Sequence, residues 1–197
     1  PDLLEKNKLL FKLAYVLDEI DYHDFRLQKF RWVTFLQTVY TTDEKSYFNS
    51  LITEWRQYYR VGANGNLAIK FRGAISTNND TPFAPFVVDS HVNLRGVGNR
   101  IDRGTAQLII NLEYRHAFLN TEDWASQFIV FTDAGSWRNP GGELSQLFDS
   151  EQFRQFVGGG LRIIYKRMYD AILRIDYGVE LTDGKSKGLV FGIGQYF

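Results

Sequence analysis

The sequence has no cysteine, which excludes a disulfide framework and a thiolate metal site. Proline is scarce, at 4 of 197 residues. An excess of charge of one sign is also missing: Lys and Arg total 23, Asp and Glu total 23, so no net field steers nucleic acid. No apolar run approaches the ~20 residues of a spanning helix. The longest clean run is only Leu13 to Leu17. The mean hydropathy is −0.28. That value leaves a membrane open, because a barrel strand shows apolar residues to lipid only at every second position. No leader segment is apparent, so the expectation is a mature or trimmed chain. The length fits one domain.

What the chain has is aromatic residues, at 16%, glycine, at 17 residues, and alternation. The stretch from Phe83 to Phe118 organises the rest. Its first part reads as a loop, with Pro85, Asp89-Ser90 and Leu94-Arg95-Gly96-Val97-Gly98. Its last part alternates. Ala106, Leu108, Ile110, Leu112 and Tyr114 point one way; Thr105, Gln107, Asn111, Glu113 and Arg115 point the other, with Ile109 the apolar exception. Period-two alternation of this length predicts a strand with two unlike faces.

The pattern recurs. Strands are expected over 26–41, 47–61, 66–77, 104–118, 124–135, 157–167, 170–182 and 188–197, eight in all. Turns separate them at 42–45, at Asn64-Gly65, over 120–123 and at Asp183-Gly184, and longer loops span 78–103 and 136–156. Most strands meet the roughly 9–11 residues that a tilted spanning strand needs. An even count suits antiparallel closure, which removes the sheet edges that lipid forbids. Residues 1–24 fit two periods. Asp2 and Glu5 have capping-box spacing, and Glu5, Lys8, Lys12 and Glu19 form one polar stripe of an amphipathic helix. As a strand, Leu9, Phe11, Leu13, Tyr15 and Leu17 alternate with Lys8, Leu10, Lys12, Ala14 and Val16. The helix, lying at a barrel mouth, is the expectation. A strand there would raise the count to nine and suggest part of a larger barrel. The expected fold is thus an all-β membrane protein: an antiparallel transmembrane β-barrel of about eight strands over 25–197 with an N-terminal amphipathic helix over 1–24.

Four segments, in order, resemble the C-terminal barrel of the BamA superfamily (bacterial surface antigen family) of outer-membrane proteins. Asn93-Leu94-Arg95-Gly96 is similar to the family's Arg-Gly loop motif. Asn111-Leu112-Glu113-Tyr114-Arg115 is similar to the strand that follows it. Phe131-Thr132-Asp133-Ala134-Gly135 is similar to the next strand, and Gly159-Gly160-Leu161-Arg162 with the closing Phe191-Gly-Ile-Gly-Gln-Tyr-Phe197 to the last ones. The resemblance covers roughly residues 47–197. It implies an integral protein of the bacterial outer membrane that assists insertion of other outer-membrane proteins or locally remodels the bilayer. Its partners would be outer-membrane lipid and unfolded outer-membrane clients, with a second copy as a further partner through open seams. It implies no cofactor.

The resemblance also implies that Arg95 meets Asp133 with Glu113 close by, that Gly96 and Gly98 turn the loop tip tightly, and that Phe131 lies beside this contact. An Arg fork can tie a loop to inward carboxylates. Gly188, Gly192 and Gly194, with Phe197, mark a closing strand. They either weaken a seam or suit tight packing. The chain departs from the larger family members, whose periplasmic repeats would not fit in residues 1–24. An eight-stranded interior is filled by side chains, which argues against translocation through a wide pore.

The rivals are a small outer-membrane barrel with a structural or lipid-modifying role, and a soluble lipocalin-like carrier with an apolar lumen. For an enzyme, His23, His91 and His116 are the histidines, none in a nucleophile motif or at metal spacing, and Gly-x-Ser-x-Gly is absent. No catalytic and no metal-binding residue is expected.

Overall fold

A computed structural model describes residues 7–43, 45–80, 84–89, 93–98, 102–168 and 171–197. Among them the strands are, in chain order, β1 (Lys8–Asp18), β2 (Asp21–His23), β3 (Arg26–Thr41), β4 (Ser46–Val61), β5 (Gly65–Ser76), β6 (Phe86–Val88), β7 (Asp102–Gly104), β8 (Ala106–Asn120), β9 (Trp124–Arg138), β10 (Arg154–Tyr165), β11 (Ile172–Glu180) and β12 (Lys187–Ile193). The long strands form one meander, β1-β3-β4-β5-β8-β9-β10-β11-β12, in which every neighbouring pair is antiparallel. β2 pairs with the start of β3, and β6 pairs with β7 inside the long connection between β5 and β8. The one helical segment among the described residues is a 3-10 turn, Leu144–Phe148, between β9 and β10.

The expected N-terminal helix is not formed; its residues are β1 and β2. β1 keeps an unbroken register with β3, from Lys8↔Thr41 to Asp18↔Arg31. That register places Leu9, Leu13 and Leu17 beside Tyr40, Leu36 and Trp32. A helix there would satisfy its own backbone but leave the edge of β3 unpaired, so strand addition overrides the local helical pattern. Asp2 and Glu5, the expected cap, lie outside the described residues.

The strand count changes with it. Nine strands in an antiparallel meander put β1 and β12 in the same direction. No pairing between β1 and β12 occurs among the described residues. The closing strand is also shorter than expected. It stops at Ile193, and Gly194, at φ +85°, turns Gln195, Tyr196 and Phe197 out of the sheet.

The two faces are unlike. On the outer face Trp55, Phe71, Ile110, Val130, Leu161, Ile175 and Phe191 are exposed. On the inner face Lys70, Glu113, Arg115, Gln127, Asp133, Arg162 and Asp176 are buried. Glu54, Arg56 and Arg72 face inward as well, joined by ion pairs at 2.5 and 3.1 Å. An apolar lumen with charge turned outward, as a lipocalin-like carrier requires, is therefore not what this sheet builds. The sheet curls enough for the turn between β2 and β3 to reach β9, β10 and β11 at one rim. Phe25 packs against Ala125, Ile164 and Ile172, and Asp24 lies 3.8 Å from Lys166. The start of β3 leaves the sheet there and is held by Asn66. The Asn66 amide accepts from the Leu27 N–H at 3.0 Å and donates to the Leu27 carbonyl at 2.8 Å, imitating a strand partner.

Candidate functional site: the loop clamp

The inner face is best followed along its cross-strand rows. One row runs Tyr58, Ala68, Glu113, Phe131, Gly158, Gly178, Gly188 from β4 to β12. The adjacent inward row runs Arg56, Lys70, Asn111, Asp133, Phe156, Glu180. In the first of these rows large side chains on β4, β8 and β9 thus give way to bare backbone on β10, β11 and β12. The tip of the β5–β8 connection fills the space this leaves.

Arg95 sits at that tip, fully buried. Its Nε donates to Asp133 Oδ2 at 2.8 Å and its Nη2 to Asp133 Oδ1 at 2.9 Å, a two-pronged contact. The Arg95 backbone N–H also donates to Asp133 Oδ2, at 3.0 Å, and Nη1 donates to Glu113 Oε2. The guanidinium plane lies between two rings, 3.6 Å from the centre of Phe131 and 4.2 Å from that of Tyr196. Burial alone pushes this guanidinium down; the Glu113 and Asp133 carboxylates outweigh it and hold Arg95 above its ordinary value. Burial, and then the Asp133 carboxylate, raises the Tyr196 phenol well above its usual value, so its hydroxyl stays protonated.

Glu113 is shared. Arg115 Nε donates to Glu113 Oε1 at 2.5 Å, and Arg162 Nη2 lies 3.6 Å from Glu113 Oε2. Arg162 also grips Asp176 at 2.7 and 3.1 Å. Arg115 Nη2 donates to the Phe197 carbonyl at 2.8 Å, so the last residues are drawn into the same network. Buried charges persist only when paired and hydrogen-bonded, and here each carboxylate meets at least one guanidinium.

The glycines explain how the tip comes so close. Gly96 has φ +99°, and a Cβ on Gly178 would stand 2.7 Å from the Arg95 carbonyl oxygen. Gly98 has φ +70°, and a Cβ on Gly188 would stand 2.9 Å from Gly98 Cα. A side chain at Gly192 would meet the Arg174 guanidinium. Gly188 and Gly192 are thus packing sites against the loop and an arginine, and Gly194 is a turn. Further ties fix the tip. Leu94 and Val97 cluster with Val88, Ile109, Trp137 and Phe156, and the Asn111 amide donates to the Asn93 carbonyl at 2.8 Å.

The structure therefore brings together Arg95, Gly96, Gly98, Glu113, Phe131, Asp133 and Gly188. Phe197 is not on the closing strand; it is buried against Tyr58, Ala68 and Tyr196. Sequence reasoning missed Tyr196 as a lid on Arg95 and Arg162 as a third cation on Glu113. Arg162 lay on the inward side of an alternating strand, which was a usable signal. Tyr196 had none, because the strand pattern ran through it. Among the described residues no group of three His, Asp or Glu side chains is placed to hold a metal. His116 Nδ1 lies 3.2 Å from the Tyr114 hydroxyl, His23 is exposed, and His91 lies outside the described residues. Chemically the site is a clamp that holds a loop inside a curled sheet. The sequence matches no family model and no curated protein at a significant level.

Proposed function

We propose that this chain forms an outer-membrane β-barrel wall of the BamA-superfamily type, integral to the bacterial outer membrane, which assists insertion of outer-membrane proteins or locally remodels the bilayer. The observation that carries the reading is the Arg95 clamp: a loop tip held inside the sheet by Glu113 and Asp133 and stacked on Phe131. A soluble sheet buries its apolar face, whereas this one exposes it and buries its charges. Lipid is the apolar partner that suits such a face. Large aromatic residues stand near both ends of the outer strands, Tyr40 and Tyr47 at one and Tyr59 and Trp124 at the other, where a bilayer places its aromatic belts.

The parity of the sheet adds a condition. Because β1 and β12 run in the same direction, these nine strands close on themselves only through a parallel seam. A fully antiparallel barrel needs an odd number of further strands between β12 and β1. A second copy in the same membrane orientation would supply nine strands, an odd number, yet its own β1 and β12 run in the same direction as ours, so both seams would be parallel. The edges of β1 and β12, unpaired among the described residues, are where an unfolded client strand would pair.

Assisted folding tests the reading. Purified protein in liposomes is expected to speed the folding of a urea-unfolded small barrel, followed by gel mobility, relative to empty liposomes. The Arg95→Ala protein, compared at equal folded fraction, is expected to lose that acceleration. No acceleration by the native protein would refute the insertion activity and leave a structural or lipid-directed barrel.

A further inference from the structure

We propose that a crevice on the outer face of the sheet, beneath the connection between β9 and β10, holds one acyl chain of a membrane lipid with an ammonium-bearing headgroup. The inference rests on the membrane reading above and concerns a surface that the loop clamp does not use.

The crevice begins with a change in side-chain size. The outward positions of β9 run Phe128, Val130, Thr132, Ala134, Ser136, falling from large to small along the strand. Its neighbours stay large. Ala134 lies in one row with Ile110 of β8 and Phe71 of β5, and Ser136 lies opposite Leu108. The outer face therefore has a hollow with apolar walls.

The β9–β10 connection roofs it. The Ser136 hydroxyl donates to the Leu147 carbonyl at 2.7 Å, and the Asn139 N–H donates to Gln146 Oε1 at 3.1 Å. The Gly141 N–H donates to the Asn79 carbonyl at 2.8 Å, tying the connection to the segment that follows β5. A space of about 490 Å³ remains between hollow and roof, with Ala134 and Gly135 as floor and Phe148 and Phe153 above. Phe148 is 83% exposed, although the segment that carries it is held by these bonds.

The surroundings select the occupant. The walls Phe71, Leu108 and Ile110 belong to the same exposed apolar face, so a chain enters sideways without leaving an apolar layer. A peptide strand is disfavoured, because the backbone of the floor is already paired in the β8–β9–β10 ladder and offers no free edge. Irregular backbone is not tolerated against hydrocarbon, which puts the roof at the level of the headgroups. Asp149 and Ser150 line the crevice there, and Glu151 follows them in the chain, all exposed. Carboxylates repel a headgroup whose only charge is phosphate and attract one that also carries an ammonium.

The test counts retained lipid. The protein is reconstituted in liposomes of phosphatidylethanolamine and phosphatidylglycerol in equal parts, extracted in mild detergent and weighed by native mass spectrometry. Insertion is checked by carbonate extraction, and folding by heat-modifiable gel mobility. The expected result is one retained phosphatidylethanolamine per native chain. Ala134→Phe, which fills the floor, and Phe148→Ser, which opens the roof at an exposed position, are each expected to cut that retention by about tenfold or more. Leu173→Phe, elsewhere on the outer face, is expected to leave it unchanged. An inserted, folded protein that retains no lipid, or variants that retain as much as the native chain, would overturn the crevice and leave the membrane reading intact. Equal retention of both lipids would overturn the headgroup preference. A protein that carbonate strips from the liposomes would overturn the membrane reading itself.

Discussion

On β8 to β11 the inner face is charged and covered; on β1 and β3 much of it is apolar and open. Glu113, Asp133, Arg162 and Asp176 are buried beneath the loop tip. At the other end Leu10 and Val16 of β1, which pair with Val39 and Val33 of β3, are exposed. Phe35 and Ile52, opposite one another in the same inward set, are only half-buried. The same alternation thus has two outcomes. Where a segment folds in to meet it, buried charge is stabilised by partners. Where none of the described residues does, the sheet carries apolar residues on both faces, a pattern suited to strands covered on both sides. Stability should therefore be concentrated around the clamp and thin at β1.

The largest expected effect is at Arg95. Arg95→Ala leaves Asp133 buried without its two-pronged partner and should cost about 3–5 kcal/mol. Urea unfolding of the detergent-solubilised protein, followed by gel mobility, measures it. Unchanged stability would mean that the clamp is not what distinguishes the two ends. Gly178→Ala comes next. Its Cβ would press on the Arg95 carbonyl oxygen and should cost about 1–3 kcal/mol. The same unfolding curve reads it, and a shift of the midpoint without change of slope would assign the loss to packing. The smallest effect is at β1. Leu10→Ser on its open inner side should change stability by less than about 0.5 kcal/mol. A loss of several times that would show that the inner face of β1 is covered in solution, and the contrast between the two ends would fail.

The eight long strands after residue 25 were legible from alternation, and so were the inward directions of Glu113 and Asp133. The facing of a strand residue is a local property with period two, so Asp133 and Glu113 had to share a side once both strands existed. That Arg95 reaches them came from the resemblance of four short segments, since nothing local links a loop residue to strands far along the chain. The glycines at 188 and 192 could be read as weak or as closely packed. Only the approach of Gly98 and the Arg174 side chain separates those readings.

What the sequence determined by itself, then, is the two-faced strand and the order of its repeats, because side-chain direction in extended backbone depends on nothing beyond the strand. The tertiary structure decided three things. Residues 8–18 satisfy helical and strand periods nearly equally, and the unpaired edge of β3 resolved the choice in favour of β1. That choice made the strand count odd and set β1 and β12 running the same way. The end of the chain turns inward at Gly194 because Arg115 binds the Phe197 carbonyl and Arg95 stacks on Tyr196. Each depends on a partner distant in sequence, and periodicity within one segment carries no information about such a partner.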